Sequence, residues 1–462
     1  MEGITSSTHL RRQLTLWDAC SLVVGTIIGA GIFLVPSIMA RHIPSAAGIL
    51  LVWIIGGTLS YFGALAYAEL GAMFPATGGQ YVFLREGYGR MVAFLCGWAL
   101  FLVVMPGNIA FLATGFATYI RDFLPASAAA NAVVSRAIAV GFIAAITFIN
   151  YRGVRLAAGV QNLFTALKLA GIAILVFAAF LSRQPSQMHL SWSAADFAPK
   201  QLGLALAAAL VAYEGWNNLS FVNGEIVNPQ RNAPLALGFG VLTSALAYVL
   251  LTAAYLRVLP VGVVAASPRV GGDVAARLFG SGGAVFLSII ILVSIVGSAN
   301  GTAFTAARLY FAQAADGLFF RRFATTHSRF GTPSFSVLMQ GAWASLLALT
   351  GSYELVATYA IFCAWVFYLL VVVALIILRW RAPSIPRPYR MYGYPFTPLV
   401  FAGVTVWFLV TNISGNPVPS LSGMAILAAG IPVYLIWGKR PQISSAETSV
   451  KAAASIAIPR RT

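Results

Sequence analysis

Apolar residues run through this chain in blocks of membrane-spanning length, separated by short stretches of charge, proline and glycine, and they do not alternate with polar positions. A helix crossing a hydrocarbon core of roughly 30 Å needs about 20 such residues, whereas outer-membrane barrel strands alternate over about 10. The pattern predicts spans near residues 15–41, 47–73, 90–121, 132–150, 158–182, 201–223, 235–259, 281–313, 334–350, 354–379, 395–413 and 420–438. The fold class expected is an all-α integral membrane protein of about twelve transmembrane helices. Residues 1–13 read as a cytoplasmic N-terminal segment and 439–462 as a disordered cytoplasmic tail.

Two of these spans are interrupted. In the first, "VGTIIGAGIF" (residues 24–33) carries Gly25, Gly29 and Gly31 in a segment otherwise apolar enough for lipid. In the sixth, "AYEGWNN" (residues 212–218) puts an acid, a glycine and two asparagines where lipid favours leucine. The first and sixth positions are an odd number of spans apart, so a duplicated five-helix unit inserts in opposite orientations. The spacing predicts two inverted repeats, over 14–182 and 200–380, with two more helices over 394–438.

A broken helix exposes backbone groups that must line a cavity or be buried in protein. The amides of Gly29, Ala30 and Gly31 are expected to meet a carboxylate at a positive helix end, with the Ile27 carbonyl free for an ammonium. A zwitterion fits both. The rival reading makes Gly25 and Gly29 a small-residue face for helix packing.

Several polar residues in the spans add to the picture. Glu214 reads either as a receptor for a cationic side chain or ammonium, as a titrating residue in a coupled step, or as a structural salt bridge or hydrogen-bond cap of the broken helix. Trp216 reads as a pocket wall or as aromatic packing. Lys168, near the middle of the fifth span, is expected to stand in for a bound cation by donating to the free carbonyls of the first helix, or to carry a proton, against a snorkelling alternative. Tyr248 and Asn300 are neutral groups able to hydrogen-bond inside a bundle. Glu69 and Glu225 close predicted helices at the cytoplasmic edge near arginine-bearing loops and read as salt-bridge or gate residues, with ordinary interfacial solvation as the rival.

Composition narrows the function classes. At 59% hydrophobic, 9% charged and mean hydropathy +0.84, the chain is far outside the soluble range. A net charge of +17 raises the question of nucleic acid, but the basic residues are scattered singly through short loops. They crowd the terminal side, among them Arg85, Arg152, Arg231, Arg321, Arg322 and Arg379, which makes that side cytoplasmic by the positive-inside rule. No cleavable signal peptide is evident ahead of the first span. Cys20, Cys96 and Cys363 all fall within spans, arguing against a disulfide framework or thiolate metal site, and the histidines show no ligand spacing. No phosphate loop, nucleophile–base pair or repeated selectivity ring stands out, which sets aside an ATP-driven pump, an enzyme and a channel. No cofactor is expected.

These residues resemble the amino acid-polyamine-organocation superfamily, and within it the L-type amino acid transporter family. "GTIIGAGIFLVP" looks like the first-helix signature, "AYEGWNNLSFVNGEIVNPQRNAPLAL" is similar to the sixth helix and following loop, and "SANGTAFTAARLYFAQAADG" looks like the eighth helix. The resemblance implies alternating access around a midplane amino-acid site, with the Ile27 carbonyl and the amides at Gly29, Ala30 and Gly31 holding the substrate backbone and the carbonyls of Val211 and Glu214 completing the ammonium site. It places Lys168 where sodium-independent relatives hold a lysine in place of a sodium ion, and Tyr248 and Asn300 near the substrate and coupling region. Ala30 replaces a frequent serine, and Glu214 an often small or neutral residue. The loop after the third span lacks a cysteine, so no disulfide-linked ancillary glycoprotein is expected. The reading is a stand-alone, bacterial-type exchanger in the inner membrane, sodium-independent, with proton-coupled symport or cationic amino-acid and polyamine transport as the alternatives.

Overall fold

The computed structural model describes residues 10–125, 127, 131–192, 198–351, 353–415 and 417–437. The expected tail over 439–462 lies outside them, as does most of the N-terminal segment. Seventeen α-helices follow in order: α1 Leu16–Ile27, α2 Val35–Ala40, α3 Ala46–Met73, α4 Gln80–Tyr88, α5 Arg90–Ala99, α6 Met105–Ile120, α7 Ala132–Tyr151, α8 Val154–Leu181, α9 Pro199–Ala212, α10 Pro229–Val258, α11 Val261–Ala266, α12 Val270–Phe279, α13 Gly283–Ala315, α14 Ser334–Thr350, α15 Tyr353–Arg381, α16 Phe396–Gly415 and α17 Pro417–Trp437. Among the described residues there is no β-strand. Among the described residues nine helical stretches are long and apolar enough to cross a membrane, and α1 and α14 are shorter apolar helices. This is a multi-pass membrane protein.

Local chemistry sets the boundaries. A capping box starts α1: Thr15 Oγ1 accepts from the Asp18 amide at 3.3 Å, and Asp18 Oδ2 accepts from the Thr15 amide at 2.8 Å. The span expected over 90–121 is not uniform, since a π-helical turn at Leu100–Val104 joins α5 to α6. Pro106 has no N–H to return to Leu102, and the Trp343 indole donates to the Leu102 carbonyl at 2.8 Å instead. The span expected over 201–223 is α9 followed by a 3-10 segment, Trp216–Glu225. The pattern also missed α4, α11 and α12, which are too short to register as spans.

Small residues let the helices approach one another. Gly56 and Gly57 of α3 face Ala209, Tyr213 and Ala245, so α3 lies against both α9 and α10. The outer faces of α7, α8, α10 and α13 expose Phe148, Leu163, Leu246 and Ile289, an apolar surface for lipid. Charged side chains gather at the two ends of the bundle. At the end bearing Leu14, Arg85 and Arg90 reach Asp316 and Arg379 pairs with Glu69, while at the other end Arg41 donates to the Ala265 carbonyl and Arg257 to the Ala179 carbonyl.

Candidate functional site

The centre of the bundle is where the first and sixth spans break. Helix α1 stops at Ile27, and the chain resumes as a 3-10 turn at Gly31–Phe33 before α2. Ile28 has φ −76° and ψ 88°, close to an inverse γ-turn, and this folds the Gly29 amide back onto the Ile27 carbonyl at 2.9 Å. The second break begins after Ala212 and turns at Gly215, with φ 121°. That conformation favours glycine, and a Cβ at Gly215 would press into the backbone of Thr26 and Ile27. Thr26 Oγ1, which also lies 2.7 Å from the Leu22 carbonyl, is 3.0 Å from the Gly215 carbonyl, so the two breaks lie against each other.

The three glycines of the first span do different jobs. A Cβ on Gly25 would collide with Gln161 and Thr165 of α8, so Gly25 is a packing residue. At Gly29 the nearest atom to a Cβ would be Ser298 Oγ at 3.4 Å, and at Gly31 nothing would come closer than 4.0 Å. No protein neighbour requires glycine at either place. The sequence offered packing or binding for the whole motif, and the geometry gives packing to Gly25 alone.

Backbone polarity is arranged as a broken helix predicts, with shifted membership. No described residue accepts from the amides of Ala30, Gly31 and Ile32, whereas Gly29, expected among the donors, spends its N–H on Ile27. The Ile27 carbonyl is not free as expected, because it accepts from Gly29 and lies 2.8 Å from the Tyr248 hydroxyl. That hydroxyl is also 2.8 Å from the Ala212 carbonyl. Its single proton serves one of the two at a time. The Val211 carbonyl is engaged by the Glu214 amide at 3.2 Å, while the Glu214 carbonyl has no donor among the described residues.

Lys168 of α8 is fully buried beneath the break. Its Nζ donates to the carbonyls of Gly25 at 2.9 Å, Ile28 at 2.7 Å and Ser294 at 3.2 Å. Three donors meet three acceptors, and the positive charge sits at the negative end of α1. Full burial excludes snorkelling. Ser298 Oγ, which the sequence reading did not single out, lies 2.9 Å from the Gly25 carbonyl.

The Glu214 side chain is half-buried at the second break and has no ion pair among the described residues. Its Oε1 accepts from the Tyr368 hydroxyl at 3.0 Å, and the same hydroxyl lies 3.1 Å from Asn217 Oδ1. The salt-bridge form of a structural role is therefore not what holds it. Trp216 is 3% exposed and packs edge-on to Tyr67 with ring centres 4.9 Å apart, beside Tyr368 and Phe401. Asn300 sits in a buried polar cluster: it donates to the Ala157 carbonyl at 3.0 Å and to Gln161 Oε1 at 2.9 Å, and accepts from Asn150 at 3.1 Å, and Gln161 in turn lies against Gly25 of α1. Tyr368, Asn217 and the Ala212 carbonyl are site groups that sequence reasoning passed over. A lone hydroxyl in the apolar run "CAWVFYLLVVV" was the available signal for Tyr368.

Beyond the breaks, toward Leu14, the bundle is closed. Glu225 and Arg308, both fully buried, pair at 2.7 Å, and Arg308 also donates to the Phe304 carbonyl at 2.9 Å. The Gln13 and Leu14 amides donate to the Glu225 carbonyl, and Leu14 bridges Ile226. Glu69 takes Arg379 at 2.5 Å and Arg387 at 3.6 Å. Both acids form the salt bridges expected of them.

Residues 14–437 match the amino acid permease family. The human b(0,+)-type amino acid transporter 1 is 30% identical over 415 residues, 89% of this chain and 84% of its own length. The human large neutral amino acids transporter small subunit 2 is 31% identical over 447 residues, 94% of this chain and 83% of its own length. Because the family match spans residues 14–437, which include both helix breaks, the chain belongs to the amino acid permease family and is a membrane transporter of amino acids, not an enzyme.

Proposed function

We propose that the protein is a sodium-independent amino-acid exchanger that works by alternating access, built on twelve spans with inverted repeats at 14–182 and 200–380 and its termini in the cytoplasm. The observation that carries this reading is the crossing of two broken helices with complementary groups: amides at Ala30, Gly31 and Ile32 and the Glu214 carbonyl, none of which has a partner among the described residues, and the Ala212 carbonyl, which shares the Tyr248 hydroxyl with Ile27. A zwitterion bridging them places its carboxylate at a positive helix end and its ammonium at a negative one. When Tyr248 donates to Ile27, the Ala212 carbonyl is left for the ammonium.

Lys168 supports the sodium-independent part. An ammonium already occupies the carbonyls that a bound cation would need, so the first helix is held without an ion to load or release. The substrate then supplies the differential affinity that biases the two access states, and a return step without substrate is disfavoured. Glu214, with only hydroxyl contact to neutralise it, favours substrates whose side chain carries positive charge alongside neutral ones.

Proteoliposomes test both parts. Uptake of labelled amino acid should require preloaded internal amino acid and proceed without sodium. Uphill accumulation in empty vesicles under an imposed pH gradient would instead establish proton symport.

A further inference from the structure

A second feature lies on the outer surface, far from the helix breaks in its chemistry. Between the π-helical turn of α5 and α6, the segment Arg321–Ala324 and α14 there is a groove of ≈ 780 Å³. Phe101, Phe323, Met339, Trp343 and Leu346 line it together with Arg321 and Arg322. Met339 and Leu346 are 37% and 48% exposed, on a helix apolar enough to lie in lipid.

The two arginines carry the argument. Both are exposed, and neither side chain makes an ion pair or hydrogen bond among the described residues. The acid closest in sequence, Asp316, is taken by Arg85 and Tyr81. The pair therefore sits unneutralised in the loop between α13 and α14, beside the apolar residues of the groove. A ligand matching both parts has an acyl chain and an anionic phosphate headgroup. A second copy of this chain fits poorly, because an isologous contact here would bring four guanidinium groups together. We infer that this groove is a binding site for an anionic phospholipid, its acyl chain along Phe323, Met339 and Trp343 and its phosphate on Arg321 and Arg322. The lipid would tie α14 to the π turn, whose Leu102 carbonyl Trp343 already holds.

The test uses the full chain in phosphatidylcholine vesicles doped with phosphatidylglycerol that carries a diazirine in its acyl chain, with adducts mapped by peptide mass spectrometry. Labelling should concentrate on the groove-lining residues of 320–323 and 335–346. Arg321→Gln and Arg322→Gln should each reduce it about fivefold, one surface charge apiece. Ala342→Phe, which fills the groove without touching the arginines, should also lower labelling, and monodisperse elution checks that each variant is folded. Equal labelling by a diazirine phosphatidylcholine, or labelling indifferent to both arginine changes, would overturn the proposal. So would efficient disulfide dimerisation of Met339→Cys, which would assign the groove to a second copy.

Discussion

The ammonium of Lys168 rests 2.7 Å from the carbonyl oxygen of Ile28, the residue at which the first helix gives out. A cation from one span thus closes the broken end of another, and Gly25 and Ser294 complete its coordination. Such a contact helps to fix where α1 ends, and in the exchanger proposed above it thereby sets which backbone groups meet the substrate.

Lys168→Ala should abolish transport while leaving an extractable protein. Removing the ammonium takes the shortest donor from the Ile28 carbonyl, while Gly25 keeps the Ser298 hydroxyl and Ser294 lies within α13, so the loss is about 1–3 kcal/mol for the one carbonyl left short of a good donor. Initial uptake in proteoliposomes should fall at least tenfold, with monodisperse elution and a lowered unfolding temperature. Wild-type uptake by the folded variant would remove Lys168 from the mechanism.

Gly25 and Gly29 should respond oppositely to the same substitution. Gly25→Ala drives a methyl into Gln161 and Thr165, so its defect should be in yield and thermal stability. Gly29→Ala adds a Cβ that meets only Ser298 at ordinary contact distance, so the protein should fold normally. Its defect should be a raised KM of the order of tenfold, because the methyl intrudes where substrate meets backbone. Thermal unfolding and uptake kinetics measured on both variants separate the two outcomes.

Glu214→Gln keeps the hydrogen bond to Tyr368 and removes the charge. Competition by all the common amino acids against a labelled neutral substrate should then show cationic competitors weakened about tenfold or more, in line with about 1.5–3 kcal/mol for a charged hydrogen bond. Neutral competitors should be little changed. The reverse pattern would mean that Glu214 shapes the broken helix and does not read the substrate side chain.

How much of this was legible beforehand depends on what each feature answers to. The breaks at Gly25–Gly31 and Glu214–Asn218 were visible because lipid tolerates glycine clusters and carboxylates only where something compensates for them. Lys168 was visible for the same reason. Which amides stay free was not, since it turns on the ψ of Ile28, and no residue preference dictates that Gly29 folds back. Asn300 was legible as a hydrogen-bonding group inside the bundle, but its partners, Ala157, Gln161 and Asn150, were not, because a polar residue in a span announces only that it has partners. The π turn was hidden because its compensation, the Trp343 indole, comes from a helix more than two hundred residues away in sequence.

The buried pair of Glu225 and Arg308 gives the last expectation. Opening the bundle toward Leu14 must part the Leu14–Ile226 bridge, and the pair lies beside it with neither side chain exposed. Arg308→Met strands a buried carboxylate, which typically costs about 3–5 kcal/mol, while replacing both partners with apolar residues avoids most of that cost. The single variant should therefore be strongly destabilised and the double variant Glu225→Leu/Arg308→Met substantially recovered in thermal unfolding. Recovery of stability should not bring recovery of transport. Without the pair the closed end loses its specific latch, so a cysteine placed at Ile226 should label faster with a thiol reagent from the Leu14 side, and exchange should become leaky. If the double variant exchanged amino acids normally and labelled no faster, the pair would be a packing feature of the fold with no part in gating.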